Sequence, residues 1–368
     1  MSAPSKELID WVRSAELPWL RFNEQSGRLE FIVDNTILSD YRGCATHCFL
    51  TYIEGWRQKS MSGDVTRNWA LDFGTLFHRM MEFYYRDFKK DGFNISDFAI
   101  KTACEQWYEM KMDVHLGHKE CQAMGGYPGF AGMLIQYATQ FKAENERMNI
   151  LATEVPFGKN KEVPIFQNIY LPDRTHESMG SIPGYYCEAD IFLSGRLDII
   201  ADDGYHILPI DHKTMGRFQG DPLNRFVNDD GPTGYIYALN TILPTIIPED
   251  LLLKRQCNQI QMNLISKAVP KEGSRFKRLS LYKSTDQLEA YRLRTIQTVN
   301  HMLSDLELYI RGIGVPRDTS KCSNWYFNTC TFMDVHRQAS KDAELATLQN
   351  GFIKLPIWNT EAVASIEN

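Results

Sequence analysis

Two aspartates and a lysine with the spacing to act on a phosphodiester lie within one short stretch, Leu193-Ser-Gly-Arg-Leu-Asp-Ile-Ile-Ala-Asp-Asp-Gly-Tyr-His-Ile-Leu-Pro-Ile-Asp-His-Lys-Thr214. Asp203-Gly204 between two alternating apolar runs signals a hairpin. With those two residues as the loop, Asp198 opposes Pro209 and Asp211 opposes Arg196. Arg196, Asp198, Asp211 and Lys213 then emerge on one face and His212 on the other, because successive side chains alternate. Adjacent buried carboxylates are costly unless a cation lies between them. A divalent magnesium or manganese ion suits such hard oxygen donors. Lys213 beside it would orient or help deprotonate an attacking water, or stabilise a pentacovalent phosphate. The bland alternative is a surface hairpin carrying an Arg-Asp-Lys ladder of ion pairs.

The elements that would position this hairpin are legible around it. Trp69 to Phe88 is expected to be a helix, with Leu76, Phe77, Met80, Met81 and Tyr84 at helical spacing. Ile100 to Val114 and Phe130 to Met148 are expected to be two more, separated by the breaker Met124-Gly-Gly-Tyr-Pro-Gly. Leu151–Phe157, Ile191–Ala201, His206–His212 and Asn258–Ile265 have strand character, and Gly158 to Cys187 an excursion from the sheet edge. Thr285 to Ile310 is a long amphipathic helix. Helices, then a strand meander, then helices give an α/β class: one central mixed sheet flanked by helices.

Three stretches taken in order resemble the PD-(D/E)XK nuclease superfamily, in particular its RecB-type branch, which includes RecB and AddB nuclease domains, CRISPR adaptation nucleases and phage exonucleases. Gly74-Thr-Leu-Phe-His78-Arg-Met-Met-Glu82 is similar to the family's helical histidine motif, Gly195-Arg-Leu-Asp198 to its second motif, and Asp211-His-Lys213 to D/E-x-K. The resemblance implies a restriction-endonuclease-like core. It implies His78, Asp198, Asp211 and the backbone carbonyl of His212 as metal ligands, with Lys213 catalytic and Gly74 allowing close helix packing. It further implies a Mg2+- or Mn2+-dependent deoxyribonuclease. Of the kinds known in the family, an exonuclease of the stand-alone phage type is favoured, serving recombination, repair or replication beside a single-strand annealing or binding protein. A structure-specific or end-processing endonuclease and an inactive DNA-binding scaffold stay open. In the family's Gln-x-x-x-Tyr motif Tyr235 is present, but Gly231 stands where glutamine is expected. Glu154 matches a glutamate often found on the first sheet strand.

The resemblance extends to the ends of the chain. Many RecB-type nucleases join their termini through an iron–sulfur cluster, and Cys44, Cys322, Cys330 and His336 look similar to such a set, with His336 where a third C-terminal cysteine is expected. A 4Fe-4S cluster, a structural zinc and plain packing remain three readings. Cys48 is the alternative N-terminal ligand and His47 is expected at the surface. The other four of the eight cysteines read as isolated core residues.

Composition sets the outer bounds. With 43% hydrophobic and 23% charged residues, the chain matches an ordinary globular protein rather than a disordered one. No run approaches the ~18 apolar residues of a membrane span, and a cytoplasmic protein without membrane contact is expected. A formal charge of −6 argues against binding DNA by bulk basicity. Between Lys254 and Lys283, however, basic residues face a single acid, Glu272. Lys267, Lys271, Arg275, Lys277 and Arg278, with Arg196 and Tyr235, are therefore candidate DNA contacts, the alternative being a solvated surface loop. The expected organisation is an N-terminal segment (1–68), a nuclease core with insertions (69–315), a Cys/His segment (316–345) and a loosely held tail (346–368).

Overall fold

In a computed structural model, the structure describes residues 5–59, 69–88, 95–158, 167–171, 174–176, 180–182, 185–218, 222–249, 257–268, 273–315, 317 and 329–357. The chain divides into two compact units, each assembled from separated stretches: Met1–Thr66, Phe157–Gly195 and Glu289–Asn368 form one, and Arg67–Pro156 with Arg196–Leu288 the other.

The first unit is built on a four-stranded sheet in the order Leu20–Asn23, Arg28–Val33, Tyr185–Leu193, Gln167–Leu171. The first two strands form a hairpin whose turn is closed by Asn23, its Oδ1 accepting from the backbone N–H of Gln25 and Ser26. Asp34 then starts the helix Asn35–Gly43, its carboxylate accepting from Ile37 N at 2.7 Å. The two ends of the chain pack together here: Trp56–Gln58 pairs antiparallel with Phe352–Lys354. Leu348 and Phe352 are buried beside Trp56, Leu50 and Phe332. Residues 346–354, expected to lie in a loosely held tail, complete the helix Lys341–Gly351 and form the strand Phe352–Lys354, because their apolar side chains have a core to enter.

The second unit holds a five-stranded sheet in the order Phe276–Tyr282, Gln259–Ser266, Ile207–Met215, Gly195–Asp202, Asn149–Phe157. The central strand runs antiparallel to Gly195–Asp202 and parallel to Gln259–Ser266. On one face Leu208, Ile210, Ile199 and Ala201 join a core with Phe73, Phe77, Met80, Trp107, Phe130 and Tyr137. These come from the helices Trp69–Phe88, Ile95–Glu109 and Gly126–Asn145. On the other face Ile260, Met262 and Leu264 pack with Ile236 and Phe226. Ile236 belongs to the helix Asp230–Ile246, which Asp229 caps by accepting from Gly231 N at 2.9 Å. Alternation along the strands thus feeds two cores.

The structure departs from the sequence expectations at three informative places. The strand expected over Ile191–Ala201 is two strands in two different sheets, divided at Ser194. Both halves are apolar on their buried sides, so the change of hydrogen-bonding partner leaves no mark in the pattern. Phe276–Tyr282, expected only as part of a basic stretch, is an edge strand. The third helix starts at Gly126 rather than Phe130, since Pro128 is tolerated in a first turn and Gly125 (φ +88°) ends the preceding short helix.

Candidate active site

The hairpin forms, with a different loop. Four residues connect the strands, Asp203 N–H bonding to the His206 carbonyl at 3.1 Å, rather than the two expected. Asp203 Oδ1 accepts from the N–H groups of both Tyr205 and His206, and Gly204 takes φ +95°. This Asx-type bonding draws Tyr205 and His206 into the turn. The observed register pairs Ile207 with Asp202 and Ile210 with Ile199; continued, it sets Asp211 opposite Asp198, not opposite Arg196. The shift moves each pairing by two positions, an even number. Asp198, Asp211 and Lys213 therefore keep the common face that the alternation required.

Pairing between these strands stops at Ile210–Ile199. Just beyond, the backbone N–H of His212 is satisfied by Asp198 Oδ2 at 2.8 Å. His78 arrives from the helix Trp69–Phe88 and sets Nδ1 3.1 Å from the same oxygen. Gly74, one turn earlier, eases this approach: a Cβ there would stand a tight 3.3 Å from Thr214 Oγ1 on the central strand. Lys213 Nζ lies 3.0 Å from Asp211 Oδ1 and 5.7 Å from the centre of the Tyr235 ring. The four expected catalytic side chains are thus neighbours within one unit.

Their electrostatics are interdependent. Burial pushes Asp198 up, but the His78 imidazole and the bonds from His212 and His78 together hold it well below the usual carboxylate range. Burial lowers His78, and Asp198 more than compensates, so its net shift is upward. Asp211 is pushed up to about 6 by burial, with Lys213 opposing and Asp198 adding to the rise. Burial likewise opposes the charge of Lys213, and Asp211 reverses that, so the ammonium is favoured. His212, fully buried, is lowered to about 4 by desolvation.

Two acids and an imidazole are a donor set for a hard divalent cation. The other oxygen of Asp211, Oδ2, is buried without a hydrogen-bond partner, which is what a carboxylate with a ligating role leaves over. His78 faces Asp198 and Lys213 faces Asp211, and among the described residues no group of three or more His, Cys, Asp or Glu side chains forms a ready-made metal site. The residues fit such an ion by type, adjacency and the orphaned oxygen.

Glu154 joins this site from the outer strand. It has φ +50°, left-handed backbone that a glutamate rarely adopts, and its carboxylate lies 2.6 Å from Arg196 Nε. Burial, with Asp198 adding, pushes it up to about 7. Arg196, expected to touch DNA, is thus paired yet still 37% exposed at its side chain.

The basic stretch behaves differently from expectation. Lys267 is buried against Glu120 at 3.7 Å, and Arg275 donates to the carbonyls of Ser266 and Lys267. Arg278 is directed into the protein toward Tyr85, Tyr137, Asn145 and Asn263. These three therefore do not form a solvent-facing phosphate track; Arg278, on the edge strand Phe276–Tyr282, is sent inward by alternation. Lys277 is exposed, over the Phe218 ring at 5.0 Å, and Lys271 lies outside the described residues. At the chain ends Cys44, Cys330 and His336 are buried, and Cys322 lies outside the described residues. Cys48 is buried, with its thiol 4.0 Å from the Ile37 carbonyl. His47, expected at the surface, is buried, with its ring 5.2 Å from that of Phe332.

No helix among the described residues is long and apolar enough to cross a membrane. A comparison with curated proteins finds no match. The family model of the PD-(D/E)XK nuclease superfamily matches residues 35–323. That span includes the histidine helix, the hairpin with both aspartates and the lysine, and the strand that carries Glu154. The chain belongs to the PD-(D/E)XK nuclease superfamily.

Proposed function

We propose that this chain is a divalent-metal-dependent deoxyribonuclease of the RecB type that degrades DNA from its ends. The observation that carries the reading is the meeting of His78, Asp198, Asp211 and Lys213 at the point where the two hairpin strands part. His78, Asp198 and Asp211 would hold a magnesium or manganese ion with the His212 carbonyl, the imidazole favouring manganese. When bound, the ion supplies Lewis-acid polarisation of the scissile phosphate and acidifies the attacking water. Lys213 presents an ammonium beside Asp211, placed to pair with a phosphate oxygen and orient the nucleophile. Tyr235, beside Lys213, offers an aromatic face to the DNA strand. Arg196 and Lys277 are solvent-reaching cations that would contact phosphates. The motif order resembles that of phage exonucleases of the RecB type, which supports a recombination or repair setting alongside a single-strand annealing or binding protein.

Incubation with Mn2+ and either closed circular or linear duplex DNA tests this. Degradation of the linear DNA with the circle left intact is expected. Cutting of the circle would make the enzyme an endonuclease. A wild type inactive on every substrate with either metal would make it a DNA-binding scaffold.

A further inference from the structure

The side chain of His212, the middle residue of Asp211-His-Lys213, belongs to a buried network that the proposed reaction does not use. It is 0% exposed. Pairing sets it beside Asn263 on the neighbouring strand, and Asn263 beside Arg278 on the next, so the three form a ladder across one sheet face. Arg278 Nε donates to Asn263 Oδ1 at 3.1 Å, while its Nη2 reaches Asn145 Oδ1 at 2.6 Å, Tyr85 Oη at 3.0 Å and Tyr137 Oη at 3.2 Å. Its guanidinium stacks on Phe141 at 3.9 Å.

The guanidinium fixes the direction of the hydrogen bonds around Asn263. A guanidinium only donates, so the Asn263 atom facing it must be the oxygen. The Asn263 amide nitrogen then donates, to Tyr137 Oη at 2.8 Å and toward His212 Nε2 at 3.4 Å. Tyr137 Oη itself lies 3.4 Å from Nε2. With Nε2 the acceptor, the ring proton sits on Nδ1. That atom is buried, makes no hydrogen bond, and lies 3.5 Å from Asp198 Oδ2.

We propose that His212 is a positioning residue: an Nδ1–H set by Arg278 through Asn263 holds the Asp198 carboxylate for the metal. The inference rests on the proposed metal-dependent function, since it gives the ligand Asp198 an outer partner of the kind that orients metal ligands. One residue thus meets Asp198 twice, through a backbone N–H bond at 2.8 Å and through a ring nitrogen 3.5 Å away. Arg278 and Asn263 act at a distance from the ion, by selecting the ring tautomer.

Two amide substitutions separate the two ring nitrogens. Asparagine can place an N–H near the Nδ1 position and glutamine near the Nε2 position. Mn2+ binding is measured by calorimetry, and thermal unfolding is followed in parallel. His212→Gln is expected to weaken Mn2+ binding about 10- to 100-fold, and His212→Asn less than about threefold. Asn263→Leu, which leaves Asp198 and His212 in place, is expected to weaken it about tenfold. Equal effects of the two amides, or Mn2+ affinity following the loss of thermal stability across the variants, would overturn the proposal. Long-range 1H–15N NMR of the wild-type imidazole is independent of any variant's folding. A protonated Nδ1 with bare Nε2 is expected for His212, and the opposite tautomer refutes the proposal. A wild type that binds no Mn2+ removes the proposed function and this inference together. A wild type that binds it, with unchanged variants, removes the inference alone.

Discussion

His78 Nδ1 and the His212 backbone N–H converge on a single oxygen, Asp198 Oδ2, at 3.1 and 2.8 Å. A helix and a strand far apart in sequence are thereby tied to the carboxylate on the neighbouring strand. That oxygen is the junction of the site, and what is expected of the protein follows from how it and its neighbours are held.

Asp198→Asn and Asp211→Asn each remove one charged donor without changing shape. Cleavage in Mn2+ is expected to fall more than ~100-fold, beyond what changes behind the ligands usually cost. DNA binding measured by anisotropy should stay within a few-fold. Loss of binding in proportion to cleavage would argue against a ligand role.

Lys213→Met removes the ammonium next to Asp211 while keeping the apolar stem that lies near Tyr235. A drop in kcat of about 100-fold or more is expected, with little change in KM, the pattern of an interaction made mainly in the transition state. Single-turnover cleavage over a range of DNA concentrations would separate the two.

Arg278→Met leaves Asn145, Asn263, Tyr85 and Tyr137 without their shared donor. Destabilisation of about 3 kcal/mol or more is expected, because several buried polar groups lose a partner at once. Denaturant unfolding checks it, and a change under ~1 kcal/mol would mean that water replaces the guanidinium.

Gly129→Ala should be equally damaging for a steric reason. A Cβ at this position overlaps the Met124 carbonyl oxygen, a backbone atom that cannot move aside cheaply. A loss of roughly 2–3 kcal/mol is expected despite the better helix propensity of alanine.

Asp40 gives a pH dependence away from the active site. Burial pushes its carboxyl up to about 6; Tyr52, which donates to it at 3.0 Å, and Arg57 oppose the rise, and Asp34 adds to it. A raised folded-state pKa means the native state holds the proton more tightly than the unfolded chain does. The contribution of Asp40 therefore favours folding below its unfolded value of 3.8 and is lost as pH rises through about 6. Asp40→Asn should accordingly stabilise the protein by about 2 kcal/mol at pH 7.5 and have little effect at pH 4. Thermal melts at the two pH values give the sign directly.

The sequence by itself determined the face that carries the candidate catalytic residues. Strand side chains alternate with period two, so Asp198, Asp211 and Lys213 share a side under the expected register and equally under the observed one, which differs by an even step. The histidine helix, Trp69–Phe88, and the long helix, Thr285–Ile310, were legible to their ends because a helical stripe is a local property. Only the tertiary structure decided the rest. Where the turn that Asp203 opens came to an end depended on side-chain bonds to the backbone, and the split at Ser194 depended on partners that come from other parts of the chain. Arg278 reads in the sequence as one more cation in a basic run, yet the fold turns it inward. The alternation that places it beside Asn263 and His212 becomes meaningful only once the strand Ile207–Met215 is known to neighbour Gln259–Ser266, far along the chain. Local periodicity fixes which way a side chain points, and long-range pairing fixes what it meets there.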